Sequence, residues 1–377
     1  MKSKIIHGLL IIVSTVAIIS CKKEIKEIDN GDQNERKVTA NATNEKHTGT
    51  AVVTVLATGF DNPRGLKFGP DGNLYVTETG TGGYTSTEGL CVQTIEPFGP
   101  ELGSPVGGRI SKVTMSGVRT TVTTDLPTIF SFGDILGVAD VAFMNGDLYV
   151  LTNGGCSHGV IGKPSGIYKV NSNGTTTLVA DLSAWQAAHP VAHPEAGDFE
   201  PDGSWYALIA RGNELYALDA NHSELIKSDL AGNVTRVVDF SATEGHNVPT
   251  AMDQGGEIYV ANLGVFPITP TSKIYRVNAI GKLAVVETDL SAPIGLVVKK
   301  GRMYVLEMSV GTDFPEPGAG RIIRIDPNGN RQVVASGLSL PTGMTMGPDG
   351  NLYVSEWGFG FGREGGHGQI LKVKLTD

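Results

Sequence analysis

Short apolar stretches separated by glycine-containing turns run through most of the chain. Within each stretch apolar and polar residues alternate, which is the period of a half-buried β-strand. Glycine suits the turns because it adopts the positive φ angles that tight hairpins need. A tyrosine near the start of an apolar strand recurs along the chain, at Tyr75, Tyr149, Tyr216, Tyr259, Tyr304 and Tyr353. The pattern predicts an all-β protein built from a repeated unit.

The repeat is clearest between two distant segments, residues 57–78 and 335–356, which are identical at thirteen of 22 positions. Each unit contains four short strands, here called A to D, with tight turns between A and B and between C and D. Six such units predict a six-bladed β-propeller, because radial repetition protects the strand edges. The sixth unit has only three strands, so we expect residues 51–57 to supply its fourth strand and close the ring.

The first residues predict a targeting segment that precedes the fold. Lys2 and Lys4 are followed by an apolar run and then by Ser20 and Cys21, which is similar to a lipoprotein cleavage site. We interpret 1–20 as a lipoprotein signal peptide, Cys21 as the lipidated residue, 21–50 as a flexible linker and 51–377 as the propeller. The alternative is an ordinary signal peptide followed by an incidental cysteine.

Composition excludes one class of partner but does not identify the ligand. The net charge of −9 gives no basic surface for nucleic acid. We expect an exported, monomeric lipoprotein of the bacterial cell envelope that touches the membrane through its lipid anchor alone. The partner would be a small molecule, a glycan or an envelope protein.

Several stretches resemble the NHL-type propellers, and more closely the ScyD/ScyE family. They are Gly80-Thr81-Gly82-Gly83 with Cys91, Asp140-Val141-Ala142-Phe143, Gly264-Val265-Phe266-Pro267, and Ser336-Gly337-Leu338 with Pro341-Thr342-Gly343. The resemblance covers roughly residues 51 to 377 and implies the six-bladed fold without an established activity. Members of that family tend to carry a second cysteine in the loop of Cys91, which this loop lacks.

Cys91 and Cys156 are the candidates for a disulfide, because each follows strand B of neighbouring units and an exported protein meets an oxidising environment. Two unrelated thiols remain the alternative.

The long connections should all lie on one face of the ring, because the A–B and C–D turns on the other face are short. Long loops on a rigid scaffold commonly carry function. These loops are rich in aromatic residues, which would suit an organic ligand, although the same side chains could simply pack the loops together. The candidate ligand-binding residues of this face are Arg64, Asp140, Tyr206, Trp185, Trp357, Phe359 and Arg363.

Carboxylates at the ends of strand B form a second, weaker candidate site. Three residues after the recurring tyrosine lie Glu78, Asp219, Glu307 and Glu356, which could hold calcium through oxygen ligands. The alternative is that they hydrogen-bond neighbouring blades. Lactonase-type propellers, which this ring resembles, carry an acidic and asparagine quartet at the channel mouth for calcium. Among the expected mouth positions Arg64, Asp140, Tyr206, Thr250, Ile294 and Thr342, only Asp140 matches that quartet.

No nucleophile motif or paired Cys-x-x-Cys occurs, and Pro190 and Pro194 argue against a helix that would align His189 with His193. We therefore expect a non-catalytic recognition or scaffold protein that uses the long-loop face and needs no cofactor. The alternative is a divalent-metal-dependent hydrolase or lactonase of the six-bladed class.

Overall fold

The tight turns of the repeat close through their own side chains. In a computed structural model, which describes residues 49–93, 99–360 and 363–376, Asp71 accepts hydrogen bonds from the backbone and side-chain nitrogens of Asn73 at 3.1 and 2.8 Å. Tyr75 donates to the same carboxylate at 3.1 Å. Gly72 has a φ of 75° with open space around it. The Asp-Gly-Asn-Leu-Tyr sequence therefore folds into a hairpin with contacts it contains itself.

The chain divides into two units, Met1–Asn41 and Ala42–Asp377, and the second carries the fold described here. One strand, β1 (Val52–Phe60), precedes the first blade. Blade 1 contains β2 (Pro63–Phe68), β3 (Leu74–Glu78), β4 (Leu102–Val113), β5 (Arg119–Ser131) and a fifth strand, β6 (Asp134–Leu136). Blade 2 contains β7 (Val138–Met144), β8 (Asp147–Thr152), β9 (Gly166–Val170) and β10 (Thr176–Asp181), and is followed by helix α1 (Leu182–Ala188).

The remaining blades follow the same order of strands. Blade 3 contains β11 (Trp205–Arg211), β12 (Glu214–Asp219), β13 (Glu224–Ser228) and β14 (Val234–Asp239), and is followed by α2 (Ser241–Glu244). Blade 4 contains β15 (Pro249–Gln254), β16 (Ile258–Asn262), β17 (Ser272–Val277) and β18 (Leu283–Leu290). Blade 5 contains β19 (Pro293–Lys299), β20 (Arg302–Glu307), β21 (Gly320–Ile325) and β22 (Arg331–Leu338). Blade 6 contains β23 (Gly343–Met346), β24 (Leu352–Glu356) and β25 (Gly368–Lys374).

The fourth strand of blade 6 is β1, which pairs antiparallel with β25. The pairing runs from Val52 opposite Lys374 to Phe60 opposite Gly368. The six-bladed all-β fold and its closure by the N-terminal strand are thus confirmed. The strand extends three residues beyond the predicted end at Ala57, and the fifth strand of blade 1 and the two helices were not predicted.

Apolar side chains between neighbouring blades form the core. The rings of Phe68 and Tyr353 meet edge to face at 4.9 Å across the junction of blades 1 and 6, and those of Tyr75 and Phe143 do the same across blades 1 and 2. The recurring tyrosine is therefore a packing residue of the blade interface. A fully buried side chain of this size contributes about 1.5–3 kcal/mol to the free energy of unfolding, and such pairs add specific ring contacts.

Helix α1 begins at Asp181, whose carboxylate accepts a hydrogen bond from the backbone N–H of Ala184 at 2.8 Å. It ends at His189, because Pro190 cannot continue the helical hydrogen bonding. His189 and His193 accordingly do not share a helix face. Among the residues described, no helix is both long enough and apolar enough to cross a membrane.

Candidate functional site

The first strand of each blade lines the central channel. The interior is surrounded by Gly65, Asp140, Tyr206, Thr250, Ile294 and Thr342, with room for only about 30 Å³. This part of the channel holds a water molecule or two, and it shares the lining residues Lys67, Met252, Leu296 and Met344 with a second cavity of about 250 Å³. Of the channel positions expected from the sequence, all but Arg64 line this interior.

Arg64 lies at the end of the channel beside the long loops. It is only 4% exposed, and its Nη2 donates to Asp134 Oδ2 at 2.6 Å and to the carbonyl of Ile135 at 2.7 Å. Its Nη1 lies 3.5 Å from the hydroxyl of Tyr206. Burial opposes the charge of Arg64, but Asp134 and Tyr206 outweigh that effect and raise the pKa of the guanidinium. The mouth of the channel therefore holds a permanent buried cation.

Asp134 reaches Arg64 from β6, the extra strand of blade 1. Its second oxygen, Oδ1, accepts a hydrogen bond from the backbone N–H of Gly360 in blade 6 at 3.2 Å. Its side chain remains 16% exposed, whereas that of Arg64 is 5% exposed. Asp134 thus lies on the outer side of the ion pair, where an approaching ligand would meet it first.

A small cavity adjoins Arg64 between blades 1, 2 and 3. It has room for about 20 Å³ and is lined by Arg64, Thr79, Leu136, Asn153, Ser204 and Tyr206, among others. The amide of Asn153 binds both backbone groups of Trp205, accepting from its N–H at 2.6 Å and donating to its carbonyl at 3.1 Å. Asn153 thereby fixes the start of β11, which carries Tyr206. Neither Asp134 nor Asn153 was identified from the sequence.

Asp140 lies in the channel interior and does not belong to the group around Arg64. Its Oδ2 accepts from the backbone N–H of Leu208 at 3.0 Å, which joins blade 2 to blade 3, and Lys67 Nζ is 3.4 Å away. Asp253 joins blade 4 to blade 5 in the same way, through the N–H of Val298. Burial raises the pKa of Asp140. Its contacts are those of a blade-joining residue.

The aromatic candidates occupy several separate places on the loop face. Trp185 stacks on His189 with ring centroids 3.8 Å apart, and Phe359 packs against the core of blades 5 and 6. Arg363 lies over the rings of Tyr84 and Phe130 at 3.8 and 4.6 Å, which ties blade 6 to blade 1. Trp357 donates its backbone N–H to Ser339 at 2.9 Å. Of the seven candidates, only Arg64 and Tyr206 are in direct contact at the mouth.

The carboxylates at the ends of strand B each accept hydrogen bonds from nearby residues and do not form one shared site. Glu78 accepts from Arg119 at 2.7 Å and from the N–H of Asp61 at 2.8 Å. The remaining three have comparable donors, as Glu307 has Ser291 and Arg321, Glu356 has Ser339 and Gln369, and Asp219 has Ser204, Gln186 and His222. In the described part of the chain no group of three or more His, Cys, Asp or Glu side chains is arranged so that it could hold a metal ion.

The channel mouth does not fit a divalent cation of the lactonase type. Arg64 stands among the positions where such propellers carry metal-binding oxygens, and its fixed positive charge would repel a second cation. The nearest acid, Asp134, is already engaged by Arg64 and by Gly360.

Cys91 and Cys156 form a disulfide with Cα atoms 6.2 Å apart, and it joins the B–C loops of blades 1 and 2. Thr87 donates to the carbonyl of Cys156 beside it. The loop face therefore has a covalent link in addition to its polar contacts.

The tight-turn face also carries a groove. It lies between blades 5 and 6, measures about 820 Å³ and is lined by Lys300, Arg302, Asp326 and Asp349, among others. Its acids are already paired, because Asp326 binds Arg302 at 3.1 Å and Asp349 binds Lys372 at 2.7 Å. The turns of this face are short, as predicted, but the groove of ligand size between the blades was not predicted.

Comparison with known proteins matches part of this chain to one family model and its fold to several solved structures. Residues 203–356 match the family model described as SMP-30/Gluconolactonase/LRE-like region. No curated protein matches the chain. A gluconolactonase from Xanthomonas campestris has a TM-score of 0.54 at 11% identity, with 86% of this chain and 90% of that chain covered.

Two further structures agree with that assignment of the fold. A protein of unknown function from Bacteroides thetaiotaomicron has a TM-score of 0.54 at 11% identity, with 87% of this chain and 76% of that chain covered. A luciferin-regenerating enzyme has a TM-score of 0.53 at 11% identity, with 86% and 95% covered. The closer likeness to the ScyD/ScyE family stays a prediction. The chain is thus a six-bladed propeller whose residues 203–356, in blades 3 to 6, match the SMP-30/Gluconolactonase/LRE-like model.

Proposed function

We propose that this protein binds a small lactone, or the hydroxy-carboxylate formed when the lactone opens, at the loop-side mouth of its channel. The observation that carries the proposal is the buried guanidinium of Arg64, held at the mouth by Asp134 and Tyr206. The match of residues 203–356 to the SMP-30/gluconolactonase/LRE-like model supports the lactone class of ligand.

The ligand would share Arg64 with Asp134 or displace it. A planar guanidinium binds a carboxylate through paired hydrogen bonds, and Asp134 is the carboxylate that now occupies part of it. Because the cavity beside Arg64 has room only for water, the body of the ligand would lie on the loop side. There Phe132 is 68% exposed and Gly360 is exposed.

Lactone hydrolysis is the second candidate function, and the family match favours it over a purely structural role. In that reaction a water oxygen adds to the carbonyl carbon, the ring C–O bond breaks, and the leaving oxygen takes a proton. Arg64 would stabilise the negative charge that develops on the carbonyl oxygen, as a fixed positive group does in acyl transfer. Asp134 would accept the proton of the water.

Binding of gluconate and glucono-1,5-lactone, followed by calorimetry, tests the proposal. We expect Arg64→Met to weaken gluconate binding at least tenfold, which corresponds to about 1.4 kcal/mol. Asp134→Asn should strengthen it several-fold, because the competing charge is removed. Arg363→Met is the matched control, since it removes a cation from the same face that does not contact Arg64.

The variants also distinguish the faces. Equal weakening by Arg64→Met and Arg363→Met would locate the ligand on the aromatic loops, as would loss of binding in Arg363→Met alone. Loss of binding only in Lys300→Met would move the site to the tight-turn groove. Circular dichroism must show each variant to be folded.

Titration of released acid tests hydrolysis. Opening of glucono-1,5-lactone above the spontaneous rate, unchanged by EDTA and abolished in Arg64→Met, would support the enzyme. Gluconate binding without any increase of that rate would leave recognition as the function. Sensitivity to EDTA would contradict the role given to Arg64.

We further propose that the protein is exported and anchored by a lipid on Cys21. The apolar run before Ser20 and Cys21 supports this, and a disulfide between Cys91 and Cys156 is typical of oxidising compartments. Residues 1–48 lie outside the described part of the chain. Radioactive fatty acid should label the wild type and not Cys21→Ser; equal labelling of both would contradict the anchor.

A further inference from the structure

We propose that Glu101, His158 and Glu200 act together as positioning residues for the channel mouth, by holding the segment that leads into Trp205 and Tyr206. The proposal rests on the function proposed above, since it concerns the same site. The three residues come from different loops: Glu101 from blade 1, His158 from blade 2, and Glu200 from the connection between blades 2 and 3. None of them was singled out from the sequence.

His158 is bound on both sides of its ring. Its Nδ1 contacts Glu101 Oε2, and its Nε2 lies 3.0 Å from the carbonyl oxygen of Gly203. The Gly203 carbonyl accepts a hydrogen bond, and the carboxylate form of Glu101 accepts one too, so with that form both ring nitrogens donate and the imidazole is charged. Burial disfavours that charge, but Glu101 outweighs it and raises the pKa of His158 to about 10. The cation thus pins Gly203, two residues before Trp205.

Glu200, a partly buried residue, is a second acid that interacts electrostatically with this buried pair. Within the described residues, neither Glu200 Oε2 nor Glu101 Oε1 has a hydrogen-bond partner, although both oxygens are buried. Glu101 is 1% exposed and His158 is fully buried. A buried oxygen without a donor is costly for a carboxylate, so two charged acids here would be strongly unfavourable. A neutral Glu200 would remove one of these two negative charges.

The charges around Glu200 agree with a neutral side chain. It interacts electrostatically with five charged or titratable groups, which are Glu101, His158, Asp198, Asp219 and His222. Burial raises the pKa of Glu200 to about 8, and Glu101 adds to the effect. Loss of its proton would create a negative charge that Glu101 and Asp219 repel.

The segment after Glu200 is held by further polar contacts. Asp202 accepts from the N–H and hydroxyl of Ser157 at 2.8 and 2.6 Å, and Ser204 donates its N–H to Asp219 at 3.0 Å. Ser204 and Tyr206 both line the cavity beside Arg64. Repulsion at Glu200 would therefore be transmitted to the cavity wall through a segment of six residues, 200–205.

The pH dependence of stability has a defined sign. The pKa of Glu200 is higher in the folded chain than in the unfolded one, so its favourable contribution is complete below about pH 4.3. It is lost progressively as the pH rises through about 8. The pKa of His158 is raised too, and its contribution is lost between about pH 6.5 and about pH 10. Ligand affinity, a property of the folded state, should change near pH 8.

The experiment measures gluconate affinity and melting temperature from pH 5 to pH 9 for the wild type, Glu200→Gln and Glu195→Gln. Glu195 is the matched control, because it is an exposed acid on the same loop. We expect wild-type affinity to fall at least threefold above pH 8, the fall to persist in Glu195→Gln, and Glu200→Gln to keep its affinity. As the pH rises, the melting temperature of Glu200→Gln should increase relative to that of the wild type.

Several results would overturn the inference. They can be distinguished from results that would overturn the proposed function. If gluconate does not bind at pH 6, the function fails, while the melting profiles still test the cluster. If gluconate binds but wild type and Glu200→Gln share one pH profile, the positioning role is wrong. A calcium-dependent rise in wild-type melting temperature that Glu200→Gln abolishes would show that a cation, and not a proton, neutralises the acids.

Discussion

The two faces of the ring are held by contacts of different range in the sequence. On the tight-turn face, Asp349 binds Asn351 and Tyr353, which lie two and four residues away. On the loop face, Arg64 binds Asp134 across 70 residues and Arg363 binds Gly83 across 280. The first kind of contact can form before the ring does, whereas the second requires neighbouring blades to be in place. Stability should therefore depend far more on the loop face and on ring closure.

Removing the closing strand should have the largest effect. A chain that starts at Gly59 lacks most of β1, so β25 would keep an unpaired edge and the core around Phe60 would open. A chain that starts at Ala51 keeps β1 and should melt as the longer protein does. Calorimetry and size-exclusion chromatography compare the two. A stable monomer from the shorter chain would break the argument for long-range closure.

Loss of a buried carboxylate on the loop face should come next. Glu78→Ala removes the acid that binds Arg119 and the backbone of Asp61 in a fully buried position. Removing one partner of a buried ion pair costs about 3–5 kcal/mol. Urea denaturation measures the change, and Glu88→Ala, an exposed acid on the adjoining loop, is the control. An effect below about 1 kcal/mol would mean that this pair behaves as a surface one.

Opening the disulfide should have a smaller effect. Replacing both Cys91 and Cys156 by alanine removes a link across 65 residues, with an expected loss of about 2–4 kcal/mol. Reduction of the wild type should lower its melting temperature and leave that of the double variant unchanged. Mass spectrometry of alkylated, exported protein should detect no free thiol at either position. Two alkylated cysteines would contradict the bond.

The tight-turn acids should matter least at neutral pH. Asp349→Asn loses the partly exposed ion pair with Lys372 and weakens hydrogen bonds within one turn, so we expect about 1 kcal/mol or less. Burial alone would raise the pKa of Asp349, but Lys372 and Asn351 outweigh it and lower it. The contribution of the charged form is present above about pH 4 and is lost as the pH falls further. The difference in free energy of unfolding between wild type and Asp349→Asn should decrease on acidification. An increase in that difference would contradict the lowered pKa of Asp349.

The same difference in range explains how much the sequence could predict. The Pro-Asp-Gly-Asn-Leu-Tyr segments contain their own contacts, so their repetition identified the blades and the ring. Arg64 and Tyr206 were found because their places follow from the repeat. Asp134, Asn153 and His158 were not, because their partners depend on the paths of loops that have no counterpart in the other blades. Trp185 and Arg363 were assigned to the channel mouth for their chemistry. In the structure Trp185 packs against His189, and Arg363 packs against Tyr84 and Phe130.

The pairing of β1 with β25 has a consequence for how the chain folds. Thr54 and Lys372 meet across 318 residues, so the last blade cannot be completed while the chain is still emerging from the ribosome or a membrane pore. Chains dominated by such distant contacts fold slowly. Until β1 pairs with β25, the other five blades expose an open apolar edge, which is prone to aggregation. A cell that makes this protein would have to shield the unclosed ring until its two ends meet.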